Sequence, residues 1–244
     1  MGGAVVLDFA AVWQAIAFAA GLVALGAVAA LLWTRRGLVV APPHLRRRPG
    51  GPEESLARLR HGADRRAMAG RLSAQHRTQL ADLAKQQQPF AVLVGCSDSR
   101  VAPELIFGCG LGDLFVVRVA GNTVGERGLG SIVYGVTVLD ASLIVVLGHA
   151  RCGAVEAATR MAEDDAAITG SLRDTIAPIV PAVLKAKAYN PPDLINAAVH
   201  ENVRAIVERL KTAAPELTER LADGRLKIVG AYYDLVTGEV EFLE

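Results

Sequence analysis

Three short runs of valine and leucine, separated by helical stretches, constrain this chain most. Residues 90–95, 114–119 and 143–147 are almost wholly apolar. A strand with one wet face alternates apolar and polar residues; a run apolar on both faces belongs to a strand covered on both sides. Residues 103–107 read as a short helix with proline near its start. Residues 129–139 and 153–162 read as longer helices. Residues 171–214 are largely helical, broken at Pro191-Pro192, and residues 227–233 and 240–243 read as closing strands around Thr237-Gly238. This alternation predicts an α/β fold, a mainly parallel central sheet flanked by helices.

The first and third runs both lead into chemistry. Residues 90–95 run into Cys96-Ser97-Asp98-Ser99-Arg100, and 143–147 into Gly148-His149-Ala150-Arg151-Cys152. Open α/β sheets build their sites at such strand ends. Two thiolates and an imidazole form a borderline-soft set that suits zinc, and three protein ligands leave a fourth position open. Cys96, His149 and Cys152 are therefore the expected metal ligands. His149 and Cys152 are three apart, so a helix beginning there would point both to one side. Zinc lowers the pKa of a bound water to about 7. Asp98 either accepts a proton from that water or occupies the fourth position itself. Arg100, if it grips the carboxylate, holds it off the metal.

The remaining features narrow the class. Three cysteines, Cys96, Cys109 and Cys152, in 244 residues do not make a disulfide scaffold. They fit a reducing compartment, and Cys109 has no partner motif. A net charge of +1 gives no global basic character, so nucleic acid is not implied. The glycine-rich stretch 125–130 lacks the lysine of a phosphate loop and reads as a turn into a helix.

Residues 15–33 carry no charge, and Trp13 and Trp33 bracket them. As a helix they would extend roughly 28 Å, about the thickness of a bilayer core. Arg35, Arg36 and the arginines at 46–48 follow, whereas residues 1–8 have no lysine or arginine. The expectation is one N-terminal transmembrane helix (residues 1–36 with its flanks) at the cell membrane, with the remainder cytoplasmic. A cleaved leader and a buried core helix are the alternatives. Residues 37–51, rich in proline and arginine, read as a linker. Residues 53–88 read as helical, with Pro89 as the stop.

The paired motifs resemble the β-class carbonic anhydrases, and the likeness extends over residues 52–244, the expected catalytic domain. Residues 115–122, Phe-Val-Val-Arg-Val-Ala-Gly-Asn, look like the family's second strand and loop; residues 229–234 look like its C-terminal strands. The resemblance implies reversible hydration of carbon dioxide to bicarbonate. Zinc would sit on Cys96, His149 and Cys152, and Asp98 and Arg100 would form a gating dyad. It also brings Gln87, Phe115, Ala120 and Tyr134 to substrate-pocket positions. Gln87 would act across a subunit interface, which implies a homodimer or homotetramer. Leu93 stands where some members carry a tryptophan of a regulatory bicarbonate pocket, so no such inhibition is expected. Domains of this kind also occur fused to anion permeases, which makes a permease a candidate partner. Hydrolysis of carbonyl sulfide or carbon disulfide would need the same ligands and a different pocket.

Overall fold

A computed structural model describes residues 83–163 and 168–243. The span expected at 15–33, the linker at 37–51, the domain start at 52 and most of the helix expected over 53–88 lie outside the described residues. Among the described residues no helix is long and apolar enough to cross a membrane.

The apolar runs become strands, as their composition requires. Strands β1 (Ala91–Gly95), β2 (Leu114–Arg118), β3 (Leu143–His149) and β4 (Lys227–Tyr233) are mutually parallel, and β5 (Val240–Leu243) closes one edge antiparallel to β4. Their spatial order is β2-β1-β3-β4-β5. The helices are α1 (Pro103–Ile106), α2 (Glu126–Thr137), α3 (Gly153–Ala162), α4 (Gly170–Ile176), α5 (Val180–Lys187), α6 (Leu194–Thr212) and α7 (Pro215–Ala222). Short 3-10 turns occupy Ala120–Asn122 and Ala177–Ile179.

Alternation within the strands divides the core. Val92, Val94, Ile144, Val146 and Ile228 pack under Ile132 and Val136 of α2, Val203, Ile206 and Leu210 of α6, and Leu217 of α7. Leu93, Val145, Leu147 and Ala231 point the other way, toward Ile106 and Phe107. Both faces are thus covered at the central strands, which is why these runs lack polar alternation. A third cluster joins Cys96, Ala150 and Cys152 to α3, α5 and α6.

Chain direction reverses around β1. It goes to β2 on one side, then returns past β1 to β3 on the other. Neighbouring parallel strands whose connections diverge leave a crevice at their carboxyl ends. The loops after β1 and β3 are the ones that carry the cysteines and histidine.

Candidate metal centre

Cys96 directly follows β1, and His149 is the last residue of β3. Cys152 stands at the N-cap position of α3. One ligand atom from each of the three lies within 4.8 Å of the others. All three residues are buried, at 4%, 0% and 1% exposure. His149 and Cys152 do not converge as two positions on one helix. Arg151 between them adopts φ 52°, a left-handed turn that reverses the chain ahead of α3. The expected convergence is present, by a different backbone.

The donor set fits zinc. The Cys96 and Cys152 sulfurs are 3.9 Å apart. Two sulfurs each about 2.3 Å from a tetrahedral zinc lie about 3.8 Å from one another. His149 Nδ1 is 2.9 Å from the Ala150 carbonyl. A carbonyl only accepts, so Nδ1 carries the proton and Nε2 presents its lone pair. Nε2 is buried with no hydrogen-bond partner. A polar atom orphaned in this way, beside two thiols, is what a metal ligand looks like without its metal.

The two thiols titrate as a pair. The hydrogen bond with Cys152 holds Cys96 far below the ordinary thiol range, against burial, with help from the Gly121 amide. The same hydrogen bond, with burial, pushes Cys152 well up. One thiolate is therefore favoured even before a cation arrives.

Asp98 is held from the other side. Arg100 donates from Nε to Oδ1 at 2.9 Å and from Nη2 to Oδ2 at 2.7 Å. The Arg100 backbone amide donates to Oδ1 as well. These bonds bring the Asp98 carboxyl down to about 2, against the opposing effect of burial. Asp98 Oδ2 lies 3.9 Å from His149 Nε2, near the ligand cluster but outside hydrogen-bond reach. Arg100 Nη2 also donates to the Arg151 carbonyl at 3.2 Å, tying the β1 loop to the β3 loop.

Sequence reasoning missed Arg118. Its Nε donates to the Cys96 carbonyl at 2.8 Å and its Nη2 to the Asp98 carbonyl at 2.7 Å. It therefore sets the backbone that carries both a ligand and the carboxylate. A charged residue ending an apolar strand was the available signal.

The pocket residues divide. Ala120 lies in the 3-10 turn beside Gly121, whose amide reaches the Cys96 sulfur at 3.2 Å. Phe115 and Tyr134 pack on each other, ring centroids 5.9 Å apart. Phe115 pairs with Val92 in the sheet, three rows before the Gly95–Arg118 row. That is roughly 10 Å along the strand from the metal ligands. Gln87 is exposed in the segment before β1. Ala120 therefore neighbours a residue bonded to a ligand sulfur, whereas Phe115 stands three rows along the sheet from the β1 end that carries Cys96.

A family model described as "Carbonic anhydrase" matches residues 91–240. The chain belongs to the β-carbonic anhydrase family. Carbonic anhydrase 2 of Mycobacterium tuberculosis is 42% identical over 194 residues, 77% of this chain and 90% of that protein. The carbonic anhydrase of Mycolicibacterium smegmatis is 40% identical over 161 residues, 66% of this chain and 78% of that protein. Among solved structures, a tetrameric β-carbonic anhydrase of Sordaria macrospora superposes with a TM-score of 0.67. It is 27% identical and covers 77% of this chain and 96% of its own. The β-carbonic anhydrase CcaA superposes at 0.65, with 28% identity over 78% and 95%.

Proposed function

We propose that Cys96, His149 and Cys152 hold one zinc ion, and that Asp98 and Arg100 govern the water that reacts there. The reaction is the reversible hydration of carbon dioxide to bicarbonate and a proton. The observation that carries this assignment is the buried, partnerless Nε2 of His149 set beside two sulfurs at zinc-bridging separation.

Zinc supplies Lewis acidity, which makes hydroxide available near neutral pH. The protein does the rest. Arg100 keeps Asp98 ionised and turned toward itself, so the carboxylate does not compete for the fourth position. Asp98 Oδ2 keeps a free lone pair toward the cluster. It accepts a hydrogen bond from the attacking water and aims that water's own lone pair at the carbon. Arg118 holds the Cys96 and Asp98 backbones in register, so ligand and acceptor keep one spacing. Carbon dioxide is small and apolar, and the apolar surroundings of the cluster, Ala120 and Ala150 among them, present little to bind it by charge.

A second subunit completes the pocket in this reading. Gln87, exposed in the segment before β1, acts across the interface on a neighbour's site in a homodimer or homotetramer, and Phe115 and Tyr134 line the same pocket. Residues 15–33 anchor the enzyme to the cell membrane, with the zinc domain in the cytoplasm. The uncharged run, its bracketing tryptophans and the arginines after it support this. An anion permease is the partner such an anchor would suit. Detergent-dependent release of the full chain from membranes, lost on deleting residues 1–36, tests the anchor; bicarbonate flux with and without those residues tests the permease.

A side-by-side substrate comparison tests the reaction. The zinc-loaded chain is expected to hydrate carbon dioxide faster than it hydrolyses carbonyl sulfide. Turnover of the sulfur substrate alone would overturn the assignment.

A further inference from the structure

Asn202 lies in the middle of α6 and is 4% exposed. A buried amide on a packing face needs a partner. Its Nδ2 donates to the Gly121 carbonyl at 3.0 Å, across 81 residues of sequence. Gly121 in turn donates its own backbone N–H to the Cys96 sulfur. The carbonyl and the amide flank a single Cα, so pinning one restricts where the other points.

The other sides of Gly121 are closed as well. Its φ is +68°, and a Cβ built there would lie 2.5 Å from Ile179 Cδ1 and 3.0 Å from the Ala154 Cβ. Only glycine takes this conformation in this space without strain. With α3 and Ile179 blocking movement, the hydrogen bond from Asn202 sets the rotation of the turn.

The same helix acts on the second ligand. Val199 and Val203 of α6 lie against Gly148, the residue before His149. One face of α6 thus supports β3 under the histidine and the Ala120–Asn122 turn over the cysteine.

We infer that Asn202 is a positioning residue for the metal centre, directing the Gly121 amide onto the Cys96 sulfur. The inference rests on the ligand assignment above. An N–H bonded to a ligand thiolate withdraws charge from the sulfur and fixes its direction, and losses of such outer contacts typically weaken metal binding about 10- to 100-fold. A purely structural asparagine would affect stability and leave the sulfur's electronics alone.

The test uses the full chain loaded with cobalt(II) or zinc, beside Asn202→Leu and Asn202→Ser. In the variants the sulfur-to-cobalt charge-transfer band is expected to shift to lower energy. Zinc release to a chelator should accelerate about 10-fold or more. A folded variant with the parent's band and release rate overturns the inference, whatever its melting temperature. If neither variant folds, the cadmium-113-loaded parent decides by NMR. A scalar coupling between the metal and the Gly121 amide proton, together with exchange-protected Asn202 Nδ2 protons, supports the inference, and the absence of either overturns it. A parent chain that binds no metal defeats the ligand assignment and this inference together; normal binding beside unchanged variants defeats this inference alone.

Discussion

Arg100 grips both oxygens of Asp98, at 2.9 and 2.7 Å, while the nearer oxygen stays 3.9 Å from the Nε2 of His149. The geometry separates two jobs that a carboxylate beside a metal site could confuse. A free aspartate would compete for the cation; one bound in a fork keeps its charge and leaves the ligand position alone.

Arg100→Ala should therefore cost activity far more than stability. The guanidinium is half exposed, so its ion pair contributes at most about 1 kcal/mol to folding. kcat/KM for carbon dioxide hydration is expected to fall about 100-fold. Hydration kinetics and thermal unfolding measured on one preparation check this; a melting loss as large as the kinetic loss would contradict it.

Asp98→Asn keeps the shape and removes the charge. It should lower kcat by about 100-fold or more while zinc content stays at the parent level. An active Asp98→Asn enzyme with full zinc would show that the carboxylate takes no part in orienting the water.

Gly148 tests how closely α6 must approach β3. A Cβ at Gly148 would lie 2.6 Å from Val203 Cγ2 and 2.8 Å from Val199 Cγ1. Gly148→Ala should destabilise the protein by about 1–3 kcal/mol, the usual range for overpacking. Because His149 is the next residue, zinc should also leave faster. Chemical denaturation and a chelator competition read the two effects separately.

Away from the site, Glu201 is buried and paired with Lys185 at 2.7 Å and Arg204 at 2.8 Å. Burial pushes its carboxyl up, but the two cations outweigh that and hold it below the ordinary value. A depressed carboxyl contributes stability above its unfolded pKa of about 4.3, and that stability is lost as pH falls through the lower folded value. Glu201→Gln should cost about 1–3 kcal/mol near neutral pH. The gap from the parent should narrow as pH drops below about 4. Urea denaturation at several pH values checks the sign: a gap that widens toward acid would contradict it.

The strands were legible because a parallel sheet buried on both faces leaves a plain apolar signature, as in residues 91–95 and 143–149. The ligands were legible because each follows such a run. Other features leave little trace in a one-dimensional pattern. The left-handed turn at Arg151 carries no glycine to announce it. Residues 215–222 went unread as a helix, although Pro215 opens it. Helix α2 starts at Glu126, ahead of the expected residue 129, because glycines 128 and 130 obscure its first turn. Arg118 and Asn202 make their key bonds to backbone 20 to 81 residues away, and such pairings exist only after folding.

Stopped-flow hydration of carbon dioxide by the purified chain, with its zinc content determined and Cys96→Ser alongside, tests the central claim most directly. Measured from about pH 6.5 to 9, activity should rise with pH, with near one zinc per chain and neither zinc nor activity in the variant. Full zinc occupancy with no hydration at any pH in that range, or undiminished activity in Cys96→Ser, would contradict it.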